Sequence, residues 1–478
     1  MDRELLIRPQ MKKGLATIRT LLFLLVLFIA VIIYSLWIDA SKFSGQNLTN
    51  VIISQKHQTL IITRRPEYPL NCIIKNQTQT CPTNYPKTSK TKDQEDTSSK
   101  TECPNYFRWI HEDLRPTKTL EKYKKSIQTR DAFTIWGILQ LLRRYPGKIP
   151  DLELMFDCDD RPVIQSSDYR GPNKTGPPPL FRYCGDKWSE DIVFPDWSFW
   201  GWAEINIKPW DKLLRDLKEG NNRSRWIDRE PYAYWKGNPF VAETRKDLLT
   251  CNVSDQQDWN ARLFIQDWIL ESQQEFKQSN VANQCAHRYK IYIEGYAWSV
   301  SEKYILACDS VTLLVKPHYY DFFTRSLKPV EHYWPIREDD KCKSIKFAVD
   351  WGNKHKQKAQ AIGKAASDFI QEGLKMDYVY DYMFHLLNEY AKLLRFTPQV
   401  PGGAAELCSE IMACSADGFE REFMVESLVK GPSTTSPCTM PPPYKPLVLA
   451  AFYRKQLNAA RQVEKWENGY WESLNKKQ

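Results

Sequence analysis

The chain of 478 residues has seven histidines, and no two of them stand four apart as an HxxxH pair. Its twelve cysteines form no Cys-x-x-Cys array. These gaps argue against a structural zinc site, which needs thiolates and imidazoles at short spacing. No internal repeat recurs, which sets aside solenoids and propellers. No second apolar run of membrane length follows the first, and there is no KDEL-type retrieval signal. What the chain does hold is aromatic weight. Its 17 tryptophans and 42% hydrophobic content suit large cores and ring-lined clefts, with room for two domains and extensions.

One run near the start is long and uncharged. Residues 21–37 (LLFLLVLFIAVIIYSLW) match the thickness of a bilayer core. Arg3, Arg8, Lys12, Lys13 and Arg19 precede it, whereas only Lys42 and Lys56 follow closely. A positive flank stays cytosolic, so residues 1–20 read as a cytosolic tail, 21–37 as a transmembrane signal anchor and the remainder as lumenal. The span is long for a cleaved signal peptide, and no small-residue cleavage site follows it cleanly. The expected location is the Golgi membrane, with the endoplasmic reticulum as second choice. Sequons at Asn47, Asn76, Asn173, Asn222 and Asn252 all lie beyond the span, as do all the cysteines, in keeping with an oxidising, glycosylating lumen. A formal charge of +9 would suit nucleic acid, but a lumenal chain rarely meets any. An anionic donor or a polyanionic matrix fits the same balance.

Residues 38–102 read as a stem, largely disordered, because residues 85–102 are rich in Lys, Thr, Ser, Asp and Gln with no apolar period. Cys72 and Cys81 could close a small loop within it. At Cys103 the composition shifts to CPNYFRWIHEDL, the start of a folded body (103–430), which a C-terminal extension (431–478) follows. Asp131–Arg144 fits a strand or a helix. Leu152–Phe156 reads as a buried strand that ends in Asp157, Asp159 and Asp160. Acids at the end of a buried strand are a usual seat of chemistry, although a solvated acidic turn has the same spelling. Ile192–Trp210 gathers Trp197, Phe199, Trp200, Trp202 and Trp210, which would line a sugar cleft or fill an aromatic core.

Two stretches then repeat one pattern. Pro231–Leu249 gives a strand, a turn at Gly237 and a helix bearing Arg245 and Lys246. Tyr289–Pro317 gives a strand, a turn at Gly295, hydroxyl caps at Ser299 and Ser301, a short helix with Lys303, and the strand Val311–Val315. Helix N-termini at the carboxyl edge of a sheet suit a diphosphate, and a core βαβ unit with surface cations has the same spacing. Asp340–Leu374 and Leu374–Arg395 read as helical, and Lys455–Gln478 as a charged amphipathic helix.

LELMFDCDDRP, FPDWSFWGWAEINIKPW, AYWKGNP followed by ETRKDLL, and IYIEGYAWSVSEKYILACDS occur in that order. With them the chain resembles the CAP10-domain, Rumi-like protein O-glucosyltransferases, glycosyltransferase family 90, over roughly residues 103–395, and its spelling is most similar to the plant branch. The resemblance implies an α/β, GT-B-like fold in which two Rossmann-like domains face each other across a cleft. The acceptor half would span about 103–225, the donor half about 226–375, and a helix over 376–395 would return to the first half. It further implies an inverting enzyme that takes a sugar, glucose or xylose, from a UDP-sugar to a hydroxyl of a protein or cell-wall polysaccharide, with no cofactor required. The family's base falls on Asp160. Its Arg-Gly pair matches Lys236-Gly237, its lysine matches Lys303, and its disulfide matches Cys285 and Cys308. Arg245, Ser299 and Ser301 complete the donor set, and Trp197, Phe199, Trp200 and Trp202 form the acceptor set. Two departures stand out. Asp159 replaces an arginine of animal members, and Asn238-Pro239 replaces an Arg-rich loop, so donor and acceptor identity do not transfer. Asp157-Cys158-Asp159 also spells a DxD motif, which holds a divalent metal in another class of glycosyltransferase. The family places the donor in the other domain, which favours metal-free chemistry. A lumenal glycan-binding relative without turnover is the alternative to an enzyme.

Overall fold

The computed structural model describes residues 48–53, 70, 72, 101–114, 129–171, 175–276, 280–402 and 404–476. The expected anchor at 21–37 and the sequons at Asn47, Asn76 and Asn173 lie outside the described residues. Among those described, no helix is long and apolar enough to cross a membrane.

Eleven strands occur among the described residues, in chain order β1 (Leu48–Ile53), β2 (Leu152–Asp157), β3 (Leu180–Arg182), β4 (Gly185–Asp186), β5 (Ile192–Val193), β6 (Glu230–Gly237), β7 (Ala261–Ile265), β8 (His287–Tyr292), β9 (Val311–Val315), β10 (Tyr319–Tyr320) and β11 (Trp334–Ile336). They form two main sheets. The first runs β1-β2-β3-β5, with β2, β3 and β5 parallel and β1 antiparallel on the edge. The second runs β11-β9-β8-β6-β7 and is parallel throughout. A two-stranded ribbon of β4 and β10 joins the halves. The architecture is mixed α/β with parallel sheets, as the strand–turn–helix spelling requires.

Burial explains which segments became central strands. Every residue of β2 (LELMFD) and of β9 (VTLLV) is buried, the signature of a parallel strand covered on both faces. The ambiguous Asp131–Arg144 segment is a helix, Thr129–Arg144, buried on most of its surface. It lies so close to the aromatic loop that a Cβ on Gly137 would sit 2.5 Å from the Trp200 indole. Asp340–Leu374 is two helices, Lys341–Lys354 and Lys356–Gly373. The helix Met376–Ala391 packs on the first sheet, where the Tyr390 hydroxyl donates to the Glu153 carbonyl at 2.9 Å. The C-terminal helix begins earlier than its charge pattern suggests, at Pro446, a residue suited to a first helical turn, and runs to Asn475.

Two features of the expected stem differ from the reading. Residues 48–53 pair with β2, covering what would be an open edge. Cys72 does not close a loop with Cys81; it is bonded to Cys414, across 342 residues of sequence. Further disulfides join Cys103 to Cys438, Cys251 to Cys342 and Cys285 to Cys308. Stem composition conceals such tethers, because one strand and one cysteine suffice to make them.

Candidate active site

β2 ends in the acid run, and the fold treats its members differently. Asp157 points inward, 1% exposed, and forms an ion pair with Arg182, which is equally buried. Its other oxygen accepts the Asp159 N–H at 3.1 Å. Burial pushes its carboxyl above the usual range, and Arg182 opposes this. Asp191, 3.7 Å from the same guanidinium, is raised to about 6 by burial while accepting the N–H groups of Val163 and Ile164. Asp160 instead keeps 27% of its side chain open. Its Oδ1 accepts a 2.5 Å hydrogen bond from Arg130, at the head of helix Thr129–Arg144. The Arg130 guanidinium lies 4.7 Å above the Trp197 ring. Asp160 is therefore a positioned, accessible carboxylate, whereas Asp157 is an internal strut.

Next to Asp160 the chain enters a cleft of about 1210 Å³. Arg161 crosses it, donating from Nε to the Tyr296 carbonyl at 3.0 Å with its guanidinium 4.0 Å over the Tyr296 ring. The opposite wall comes from the carboxyl ends of β8 and β9, residues 293–296 and 314–320, where ligands of open parallel sheets bind. Glu294 is held there by the N–H groups of His318 and Tyr319, at 2.9 and 2.8 Å, and by His318 Nδ1 at 3.1 Å. His318 Nε2 reaches Glu338 at 3.3 Å. Burial raises the carboxyls of Glu294 and, more strongly, of Glu302 beneath it, with Asp321 adding to the latter. A second cavity, of about 880 Å³, lies elsewhere, between Phe369 and the Pro442–Tyr444 segment, and no residue singled out in the sequence lines it.

Comparison with known proteins gives this geometry a context. The family model described as glycosyl transferase family 90 matches residues 118–467. The chain belongs to glycosyl transferase family 90. Protein O-glucosyltransferase 1 of Bos taurus is 25% identical over 293 residues, covering 58% of this chain and 71% of that protein. Its Homo sapiens counterpart is 26% identical, covering 54% and 67%. O-glucosyltransferase rumi of Drosophila melanogaster is 24% identical, covering 54% and 65%.

Within this family 90 chain the expected donor cations occupy unequal positions. Arg245, 9% exposed, gives all three of its nitrogens to carbonyls: Nε to Glu294 at 2.9 Å, Nη1 to Asn238 at 3.2 Å and Nη2 to Ile293 at 3.0 Å. Burial lowers its pKa. Gly295 lies directly over it, since a Cβ there would meet Nη2 at 3.5 Å. Lys236, at the end of β6, is ion-paired with Glu271 at 2.9 Å. At the neighbouring Gly237 a Cβ would meet the Trp235 ring at 2.6 Å. Lys303 departs furthest from the expectation of a first-turn cation facing a phosphate. It is 1% exposed, bonded to Asp196 at 2.7 Å and packed over the Phe199 ring. Asp196 in turn caps the turn at Ser198, so this pair welds the second half's helix to the aromatic loop. That helix, Ser301–Leu306, spans six residues, and the Ser299 N–H is already given to the Tyr292 hydroxyl at 3.1 Å. The Ser299 and Ser301 hydroxyls bond each other at 2.8 Å.

The aromatic loop is core more than cleft. Trp197, Phe199 and Trp200 are at most 1% exposed, and the Trp200 indole donates to the Tyr380 hydroxyl at 3.0 Å. Trp202 is half-buried, edge-on to Trp197. The even choice between cleft and core thus falls to the core, because four of the five rings, Trp210 among them, are buried and all five pack against other aromatic rings. Arg130, Arg161, Glu294 and Tyr296 were not singled out in the sequence. Glu294 and Tyr296 flank the Gly295 turn, whereas Arg130 and Arg161 carry no motif of their own. Of the described sequons, Asn222 is exposed, while the Asn252 side chain is held by the Leu263 N–H at 2.9 Å.

Proposed function

We propose that the chain is an inverting glycosyltransferase that moves a sugar from a UDP-sugar to a hydroxyl of a protein or polysaccharide, its two sheet-bearing halves acting as the facing domains of a GT-B-like enzyme. The observation that supports this is Asp160, accessible and oriented by Arg130, adjoining Arg161, which bonds the Tyr296 carbonyl on the β8–β9 wall where Arg245 lies beneath Gly295. Asp160 takes the acceptor proton as that oxygen forms its bond to the anomeric carbon. The anomeric carbon–phosphate oxygen bond breaks at the same time, and its electron pair leaves with UDP. Arg245, whose hydrogen-bond partners are neutral carbonyls, keeps its charge for the growing negative charge on the diphosphate. The body would work in the secretory lumen, Golgi before endoplasmic reticulum, held by the apolar run at 21–37. Names of relatives such as protein O-glucosyltransferase support glucose as donor sugar and protein as acceptor.

The test is a donor screen. Full-length protein is offered UDP-glucose, UDP-xylose and UDP-galactose with and without acceptor, and released UDP is measured. One donor should be turned over in an acceptor-dependent way, with inverted configuration in the product. Retention of configuration, or no turnover of any UDP-sugar, would overturn the reading.

A further inference from the structure

We infer that the mouth of the cleft carries a saccharide subsite for the acceptor, with Trp188 and Tyr296 as its stacking platforms; this deepens the transferase reading and rests on it. The buried aromatic loop leaves the acceptor without the rings its sequence seemed to offer. Two other rings supply them. Trp188 is 59% exposed and Tyr296 52% exposed, and both line the cleft, one from each half.

Trp188 is open in its ring and fixed in its backbone. Its N–H donates to the Asp186 carboxylate at 2.7 Å, its carbonyl accepts from the Ser166 N–H at 2.7 Å, and Gln165 bridges Ser189 beside it. A large apolar ring held in water by a rigid turn has a standing cost, which a ligand would offset. Each ring also has a cation against it: the Lys187 ammonium 4.6 Å from the Trp188 centroid, and the Arg161 guanidinium over Tyr296. Asp186 and Glu190 add carboxylates on the Trp188 side. A pyranose matches this mixture, with C–H faces for the rings and hydroxyls for the charged rim. A polypeptide anchor calls for a dry apolar pocket, and here the aliphatic lining residues Ile293, Leu314, Val315 and Leu327 are at most 3% exposed, against 40% for Val241. Arg161 adjoins Asp160 in sequence and bonds the Tyr296 carbonyl, which ties this platform to the strand end that carries the base.

The test is saturation-transfer NMR on the full chain in detergent, without donor, using cellohexaose, xylohexaose and a serine-containing octapeptide as probes. A hexasaccharide should bind, Trp188→Ala should weaken it about ten-fold, the worth of one good ring contact, and Trp188→Phe should restore most of the loss. Hexasaccharide binding indifferent to Trp188→Ala overturns the proposal. So does the absence of hexasaccharide binding, or binding of the octapeptide alone. Because no donor is present, a chain that turns over UDP-sugar yet fails this test keeps the transferase reading and loses the subsite.

Discussion

The acids at the end of β2 and the cations at or after the ends of β6 and β8 look alike in sequence, as charges set at or beyond the end of a strand. In the first set the fold buries Asp157 against Arg182 and leaves Asp160, paired with Arg130, 27% open. In the second it claims Lys236 with Glu271 and Lys303 with Asp196, and leaves Arg245 bonded to carbonyls. A charge serves a substrate only to the extent that burial against an opposite charge has not already taken it. On that criterion Asp160, partly open in its pair with Arg130, is more available than Asp157, and Arg245, bonded to carbonyls, is more available than Lys236 or Lys303.

The sharpest way to break this comparison is at Asp160. Asp160→Asn keeps shape and hydrogen bonding and removes basicity, so transfer should fall on the order of 10²- to 10⁴-fold. Donor affinity should persist, since the proposed donor contacts lie on the other wall. Near-normal turnover by that variant would remove the base assignment.

Next in size are the claimed charges. Lys303→Met leaves Asp196 buried without its partner, and Asp157→Asn leaves Arg182 buried against Asp191 alone, at 3.7 Å. Breaking a buried pair from one side costs about 3–5 kcal/mol, so both variants should lose stability in denaturant melts before any kinetic effect is read. If Lys303→Met melts like the parent and instead loses donor affinity, the lysine belongs to the site and the comparison fails.

Arg245 comes third. Arg245→Lys keeps the charge but cannot span three carbonyls, and the donor KM should rise about ten-fold through loss of a charge-assisted contact. An unchanged donor KM would mean that Arg245 serves only to tie Asn238 to Glu294.

The sequence made the backbone legible where burial is written in composition. Leu152–Phe156 and Val311–Val315 are apolar runs of strand length, and both are fully buried strands. The unit from Tyr289 to Val315 folds as β8, a short helix and β9. Side-chain roles were less legible, because a lysine in a helix's first turn reads the same whether it faces solvent or a carboxylate 107 residues away. Trp197, Phe199 and Trp200 illustrate the converse. A run of rings specifies apolar contact without saying whether the partner is a ligand or the rest of the body, and here it is the body. Trp188 stands between Lys187 and Ser189 and Tyr296 between Gly295 and Ala297, and neither gave a signal until the fold brought them to one cleft.

The smallest expected effect concerns the Asp157-Cys158-Asp159 spelling. A metal bridge to a diphosphate needs both carboxylates turned toward the donor. Asp157 is 1% exposed, with one oxygen on Arg182 and the other on the Asp159 N–H. The Asp159 carboxylate accepts the Asp160 N–H at 2.8 Å, which shapes the turn presenting the base. Freeing Asp157 for a metal would leave Arg182 buried against Asp191 alone at 3.7 Å, at the cost of a broken internal pair. EDTA should therefore change the transfer rate by less than about two-fold, and Asp159→Asn, which keeps an acceptor for the turn, should cost far less than Asp160→Asn. Activity abolished by EDTA and restored by a divalent cation would reverse the order of the three acids and return the metal role to this run.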